Sequence, residues 1–302
     1  MEEFRLRVIE MLEDIFEEQY VIESVDMTKI NDTQLHGIAV RAANGCCGMT
    51  IYLDEHYSLY NDGMELQDIV DSLAAAIRKE SENIEEISSQ LHRIAKLTDY
   101  ESIKENIMFR VLNKERNKEY LKNIVCFPTG LDIDMCLYLD VEFETGKGGI
   151  INLTKQIRDM WVVSDEELLA QAKKNTQEKR PPMFANVQTL LHDTEFDYLS
   201  CDVNLYVLTN GEKTDGAGVM FYEGLLKDYS ERMEGKNFII LPSSIHEMLL
   251  IPTDELKDVT YLRRMVCSIN AIELQPTEVL SDNIYYYNKE TDSVRIVDEE
   301  EE

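Results

Sequence analysis

Phe4, Val8, Leu12, Ile15 and Phe16 recur at the spacing of one helical face, which predicts an amphipathic helix over residues 2–18. The apolar period then shortens, and Tyr20–Met27, Leu35–Arg41 and Met49–Leu53 read as strands. Asn44-Gly45 supplies a turn signal, because both residues tolerate positive φ. Asp62-Gly63 marks a break. Helical spacing returns with Leu66, Ile69, Val70, Leu73 and Ile77, then with Ile84, Ile87, Leu91 and Ile94. Between these runs Lys79–Asn83 is polar, either a bend or an exposed turn of one continuous helix.

Ile107–Leu112 and Met135–Phe143 alternate as strands, the second with Cys136, Tyr138, Asp140 and Glu142 on one face. Gly146-Lys147-Gly148-Gly149 interrupts the pattern before a helix near Leu153–Met160. Ser164 and Glu167 have the spacing of a capping box, so a further helix starts there and is expected to end near Lys174. Asn175 to Pro182 is charged and closes on two prolines, which reads as an exposed connection and a domain boundary.

Beyond it, Val203–Leu208 and Ala217–Met220 read as strands either side of the Asn210-Gly211 turn. Tyr222, Leu225, Leu226, Tyr229 and Met233 form a helical stripe. Phe238–Leu241 and Met248–Ile251 are short apolar strands flanking Pro242-Ser243-Ser244. Val259, Leu262, Val266 and Ile269 form another helical stripe, and Ile284–Tyr287 with Val294–Val297 a closing hairpin. Neighbouring strands joined by short turns, with helices between pairs, predict an α+β fold of mostly antiparallel sheets in two lobes. The expected division is residues 1–174, residues 183–297 and an acidic disordered tail at 298–302.

Composition narrows the function. The 302 residues include 59 Asp and Glu against 30 Lys and Arg, a formal charge of −29, with 44% hydrophobic residues. That is enough apolar material for real cores. The charge repels nucleic-acid phosphates and anionic membranes, so direct nucleic-acid binding and membrane association are not expected. It admits an acidic mimic of nucleic acid, although net charge more often reports solubility. The acidic amino terminus lacks a secretory pattern, and no run reaches the roughly 18 apolar residues of a membrane span. Cys46, Cys47, Cys126, Cys136, Cys201 and Cys267 show no CxxC spacing, so reduced thiols in a cytoplasm are expected, with no structural disulfide.

Val207-Leu208-Thr209-Asn210, Gly216-Ala217, Ile240-Leu241-Pro242-Ser243-Ser244-Ile245-His246-Glu247, Met265-Val266, Asn270 and Val279-Leu280-Ser281-Asp282 carry a resemblance, joined by Asn175-Thr176. In these residues the chain resembles an uncharacterised bacterial family, domain of unknown function 5688. The resemblance implies a bacterial cytosolic protein and one family-length unit, and it brings no activity with it.

Motifs for chemistry are incomplete. His246-Glu247 begins a zinc-protease motif, but Leu250 stands where the second histidine is required. Ser243 or Ser244 beside His246 and Glu247 has the residue types of a nucleophile, base and orienting acid, without the glycine elbow that projects a nucleophile. The plainer account has Pro242 ending a strand and the serines capping a short helix. Gly146-Lys147-Gly148-Gly149 lacks the remaining P-loop positions, and Gly216-Ala217-Gly218 is followed by Phe221 where a dinucleotide fingerprint needs glycine or alanine. Cys46-Cys47 reads as a turn. His36, His56, His92 and His192 are scattered. Asp132 with Asp134, and Asp140 with Glu142, share strand faces without a calcium-loop pattern. No metal or cofactor is therefore expected. The reading is a non-enzymatic regulatory or protein-binding protein whose partner is another protein. The alternatives are a hydrolase using Ser244 and His246 with a nearby acid, and the nucleic-acid mimic.

Overall fold

The computed structural model describes residues 1–43, 48–91, 99–142, 148–191, 204–256 and 258–298. The sheets are antiparallel and carry helices, the α+β class expected from the hydrophobic pattern. Among the described residues, backbone contacts form two compact units, one before Asp99 and one from Asp99 onward. The boundary expected between residues 174 and 183 falls within the second of these units. The Cys46-Cys47 turn, His92, His192 and residues 299–302 of the acidic tail lie outside the described residues.

The first unit contains α1 (Glu2–Phe16), β1 (Tyr20–Thr28), β2 (Gln34–Ala42), β3 (Gly48–Tyr52), α2 (Asp54–Asn61) and α3 (Leu66–Leu91). Its strands pair in the order β1-β2-β3, with Ile22 opposite Val40 and Ser24 opposite Ile38. The stripe Phe4, Val8, Leu12 and Phe16 packs on Ile22, Ile38 and Val40 and on Ile69, Val70, Leu73 and Ile77 of α3. Burial of each such large side chain contributes about 1.5–3 kcal/mol, which is why the period-3.6 pattern was readable. Lys79–Asn83 continues α3 without a break.

The second unit runs α4 (Tyr100–Ile103), β4 (Ile107–Asn113), β5 (Cys126–Pro128), β6 (Ile133–Glu142), β7 (Gly148–Asn152), α5 (Lys155–Arg158), α6 (Asp165–Lys179), β8 (Pro182–Asn186) and α7 (Val187–Leu191). It continues with β9 (Tyr206–Asn210), α8 (Leu225–Arg232), β10 (Asn237–Ser244), β11 (Glu247–Thr253), α9 (Val259–Ile272), β12 (Tyr285–Asn288) and β13 (Ser293–Ile296). β4, β6 and β5 form one sheet, with β7 also on β6, and β13-β12-β10-β11-β9-β8 form another. Ser164 caps α6 as expected: its hydroxyl accepts the Glu167 amide and Glu167 accepts the Ser164 amide, both at 3.2 Å.

Three expectations are corrected. Asn175 to Pro182 is not a connection, because α6 continues to Lys179 and Pro182 opens β8. Asn175 and Thr176 are buried. The Asn175 side chain donates to the Lys104 and Ile107 carbonyls at 2.7 and 2.8 Å, and the Thr176 hydroxyl accepts the Phe109 amide at 3.0 Å. These polar side chains satisfy backbone groups of β4 and of the turn before it, along the edge that no described strand covers. Second, Ala217–Met220 lies in a 3₁₀ turn, Gly216–Phe221. A Cβ on Gly216 would stand 2.5 Å from the His246 carbonyl oxygen and 2.9 Å from the Asn210 nitrogen, so only glycine fits this crossing. Third, Pro242 does not end its ladder: it pairs with Met248 and β10 runs on to Ser244. On the other side the β12 pairing stops at Ile240, so Pro242 sits where its missing N–H interrupts no ladder on that side.

Candidate functional site

The Leu241–Glu247 segment forms a hairpin, with Ser244 opposite Glu247 and Ile245-His246 as the two-residue loop. Its polar groups are engaged within the fold. The Ile245 amide donates to the Glu278 carbonyl at 2.9 Å, and the Ile245 carbonyl accepts the Ala217 amide at 3.2 Å. The Thr209 hydroxyl donates to the His246 carbonyl at 2.7 Å. The Ser243 hydroxyl donates to Glu247 at 3.1 Å, while the Ser244 hydroxyl accepts the His246 backbone amide at 3.0 Å. The serines therefore cap a hairpin turn rather than a helix.

The imidazole is fixed as well. Nδ1 of His246 accepts the Asp215 amide at 3.1 Å, which places the ring proton on Nε2, 3.9 Å from Glu278. A base acting at Nε2 needs that nitrogen free of its proton, so this tautomer does not suit a serine nucleophile. Asp215 also faces Arg110 at 3.5 Å. Arg110 donates to Tyr120 at 3.1 Å and to Asn152 at 2.8 Å, closing a largely buried polar network. Burial, followed by the Asp215 charge, pushes the Tyr138 phenol beside it up to about 12.

The paired acids diverge. One oxygen of Asp132 accepts the Tyr285 hydroxyl at 2.8 Å, and the other accepts Ser281 at 2.6 Å and Asn113 and Asn283 at 3.0 Å each. Four donors leave that carboxylate little capacity for a cation. Asp134 has a buried oxygen, Oδ1, without a hydrogen-bond partner, and burial raises its pKa. Asp140 pairs with Arg180 at 2.6 Å. Among the described residues, no group of three His, Cys, Asp or Glu side chains could hold a metal ion.

A different surface stands out on α9. Val259 and Val266 pack beneath it on Ile239, Leu241, Ile284 and Tyr286. Ile269, expected on that inner face, is exposed, as are Tyr261 at 67% and Ile272 at 74%. Val259, Arg263, Arg264, Cys267 and Ser268 line a groove of about 630 Å³ along the same helix. Residues 259–272 contain no Asp or Glu, although the chain carries 59. The helix thus shows solvent an apolar and basic face on an otherwise acidic protein. The readable signal was apolar residues on more than one side of an acid-free helix.

A family model matches residues 1–289. The chain belongs to the family of unknown function DUF5688. No curated protein and no solved structure matches it. Several residues that carry the DUF5688 resemblance have framework roles. Asn210 turns the chain by accepting the Glu212 amide at 3.0 Å and donating to the Thr214 carbonyl at 2.7 Å. Asn270 of α9 donates to the Ser281 carbonyl at 3.0 Å and to Asp282 at 2.8 Å, and Ser281 in turn reaches Asp132. These bonds tie the inner face of α9 to the segment before β12. No described helix is long and apolar enough to cross a membrane.

Proposed function

We propose that this DUF5688 chain is a non-enzymatic binding protein of the bacterial cytosol, and that its α9 face receives an acidic, amphipathic segment of another protein. The supporting observation is the outward surface of α9, where Tyr261, Ile269 and Ile272 are exposed beside Arg264 on a helix without acidic residues. Tyrosine and arginine are among the side chains that carry most of the energy at protein interfaces, burial of the isoleucines adds to it, and an arginine rim selects an acidic partner. A second copy of the chain fits less well, since a two-fold contact through α9 would bring the arginines together. A carboxylate-based mimic of nucleic acid would not use this surface. The bonding of Ser243, Ser244 and His246 favours a binding role over a hydrolase.

The test is recovery of the tagged full-length chain from its native cells as wild type, Ile272→Asp, Arg264→Glu and Leu59→Asp. Leu59 is exposed in the first unit and serves as the control. The reading expects one partner to co-elute with wild type and Leu59→Asp, and to fall at least about tenfold with either α9 variant at unchanged Tm. Equal recovery with all four proteins, or no partner with wild type, would refute it.

A further inference from the structure

Strands β5 and β6 place Cys126 directly opposite Cys136, with their sulfurs 2.6 Å apart. The Leu137 amide donates to the Val125 carbonyl at 2.9 Å, so the adjoining cysteine rung is one at which the strands exchange no amide hydrogen bonds. Facing Cα atoms come closest at such rungs, about 4.5 Å apart, within the range a disulfide spans. Both thiols are free in this structure. Cys136 is buried and Cys126 is half-exposed, so a reagent from solution meets Cys126 first. Arg110, opposite Cys136 on β4, provides positive charge beside the pair, while Asp134 lies two residues away on β6. The Cys136 thiol is held in its protonated form by the hydrogen bond it makes with Cys126 and then by burial, which raises its pKa and suits it to wait as the second thiol rather than the first.

We propose that Cys126 and Cys136 form a redox-modification site that closes reversibly to a cross-strand disulfide by exchange with a small-molecule disulfide such as oxidised glutathione. The Cys126 thiolate attacks one sulfur of the small disulfide, releasing one thiol and leaving a mixed disulfide on Cys126. Cys136 then gives up its proton and attacks the Cys126 sulfur, which forms the Cys126–Cys136 bond and releases the second small thiol. The protein dithiol loses two electrons and two protons, and the small disulfide takes them up as two thiols. Cys267, exposed on α9 without a facing cysteine among the described residues, supplies a comparison thiol in the same molecule.

The test uses the full-length native protein in buffers of graded reduced-to-oxidised glutathione ratio, quenched with an alkylating agent and digested with trypsin. Residues 123–147 contain no internal Lys or Arg, so both cysteines fall in one peptide. The expected result is conversion of that peptide to an unalkylated form lighter by two hydrogen atoms, reversed by dithiothreitol. The oxidised protein should melt at a higher temperature. Cys136→Ser should trap glutathione on Cys126, and Cys126→Ser should leave Cys136 unmodified while the protein is folded, as judged by its melting transition. If the peptide remains a dithiol in the folded protein under ratios that oxidise it in the denatured chain, or if either cysteine pairs with a different one, the proposal is wrong.

Discussion

Removal of the Asp132 carboxylate tests how the second unit is held together. Asp132 accepts four hydrogen bonds, two of them from the Ser281 and Tyr285 hydroxyls, whose residues are fully buried. In Asp132→Ala those two hydroxyls lose their acceptor in a site that water does not reach readily. Each buried donor left unpaired costs about 1–3 kcal/mol, and of the two asparagine bonds that of the half-exposed Asn283 adds less than that of the buried Asn113, whose acceptor Asp132 is itself half-exposed. The expected loss is about 3–6 kcal/mol, a large part of the roughly 5–15 kcal/mol that holds an ordinary domain. Asp132→Asn keeps the volume and one oxygen but turns an amide toward donors, so it should fall between wild type and alanine. Urea unfolding followed by fluorescence reads this directly, since the one tryptophan, Trp161, is buried in the same unit. A loss below about 1 kcal/mol for Asp132→Ala would show that the cluster is not a structural staple.

Asn175→Ala should cost about 1–3 kcal/mol in the same assay, because it leaves the Ile107 carbonyl unpaired and takes one of two donors from the Lys104 carbonyl; an exposed connection would give almost no change. His246→Ala removes the acceptor of the Asp215 amide and should cost about 1 kcal/mol, with partner recovery unchanged; loss of the partner at full stability would move the site to the hairpin. Asp134→Asn should stabilise the protein at neutral pH. The folded pKa of Asp134 is raised, so its protonated form favours folding at low pH and that contribution is lost as pH rises through the folded pKa. The advantage of the asparagine should therefore fade as pH falls toward 3.8, and an advantage independent of pH would contradict the assignment.

The parts of the fold that were legible in the sequence are those in which a side chain acts on its own element. The α1 stripe, the Ser164–Glu167 box and the closing hairpin depend on local spacing. The misread parts depend on what lies across space. Asn175 and Thr176 look solvent-exposed by type, yet they are buried because β4 needs partners for its open edge. Pro242 looks like a strand end, yet the strand continues because β12 has already left its side. Gly216–Met220 is a short apolar run whose period cannot separate strand from helical turn, and the crossing with His246 decides it. The hairpin residues were singled out for their chemistry, but their bonds turn inward. The outward face of α9 was hidden by assigning Ile269 to the core.

A partner segment held by Tyr261 and Arg264 of α9 also covers the groove that Arg264 lines. Cys267 lines that groove and is itself exposed, so its alkylation rate by N-ethylmaleimide can be followed by peptide mass spectrometry in the free chain and in the co-eluting complex. Cys267 should react at least about tenfold more slowly in the complex, with Cys126 unchanged as the internal standard. Equal rates at Cys267 in the free and bound chain would place the partner elsewhere than on α9.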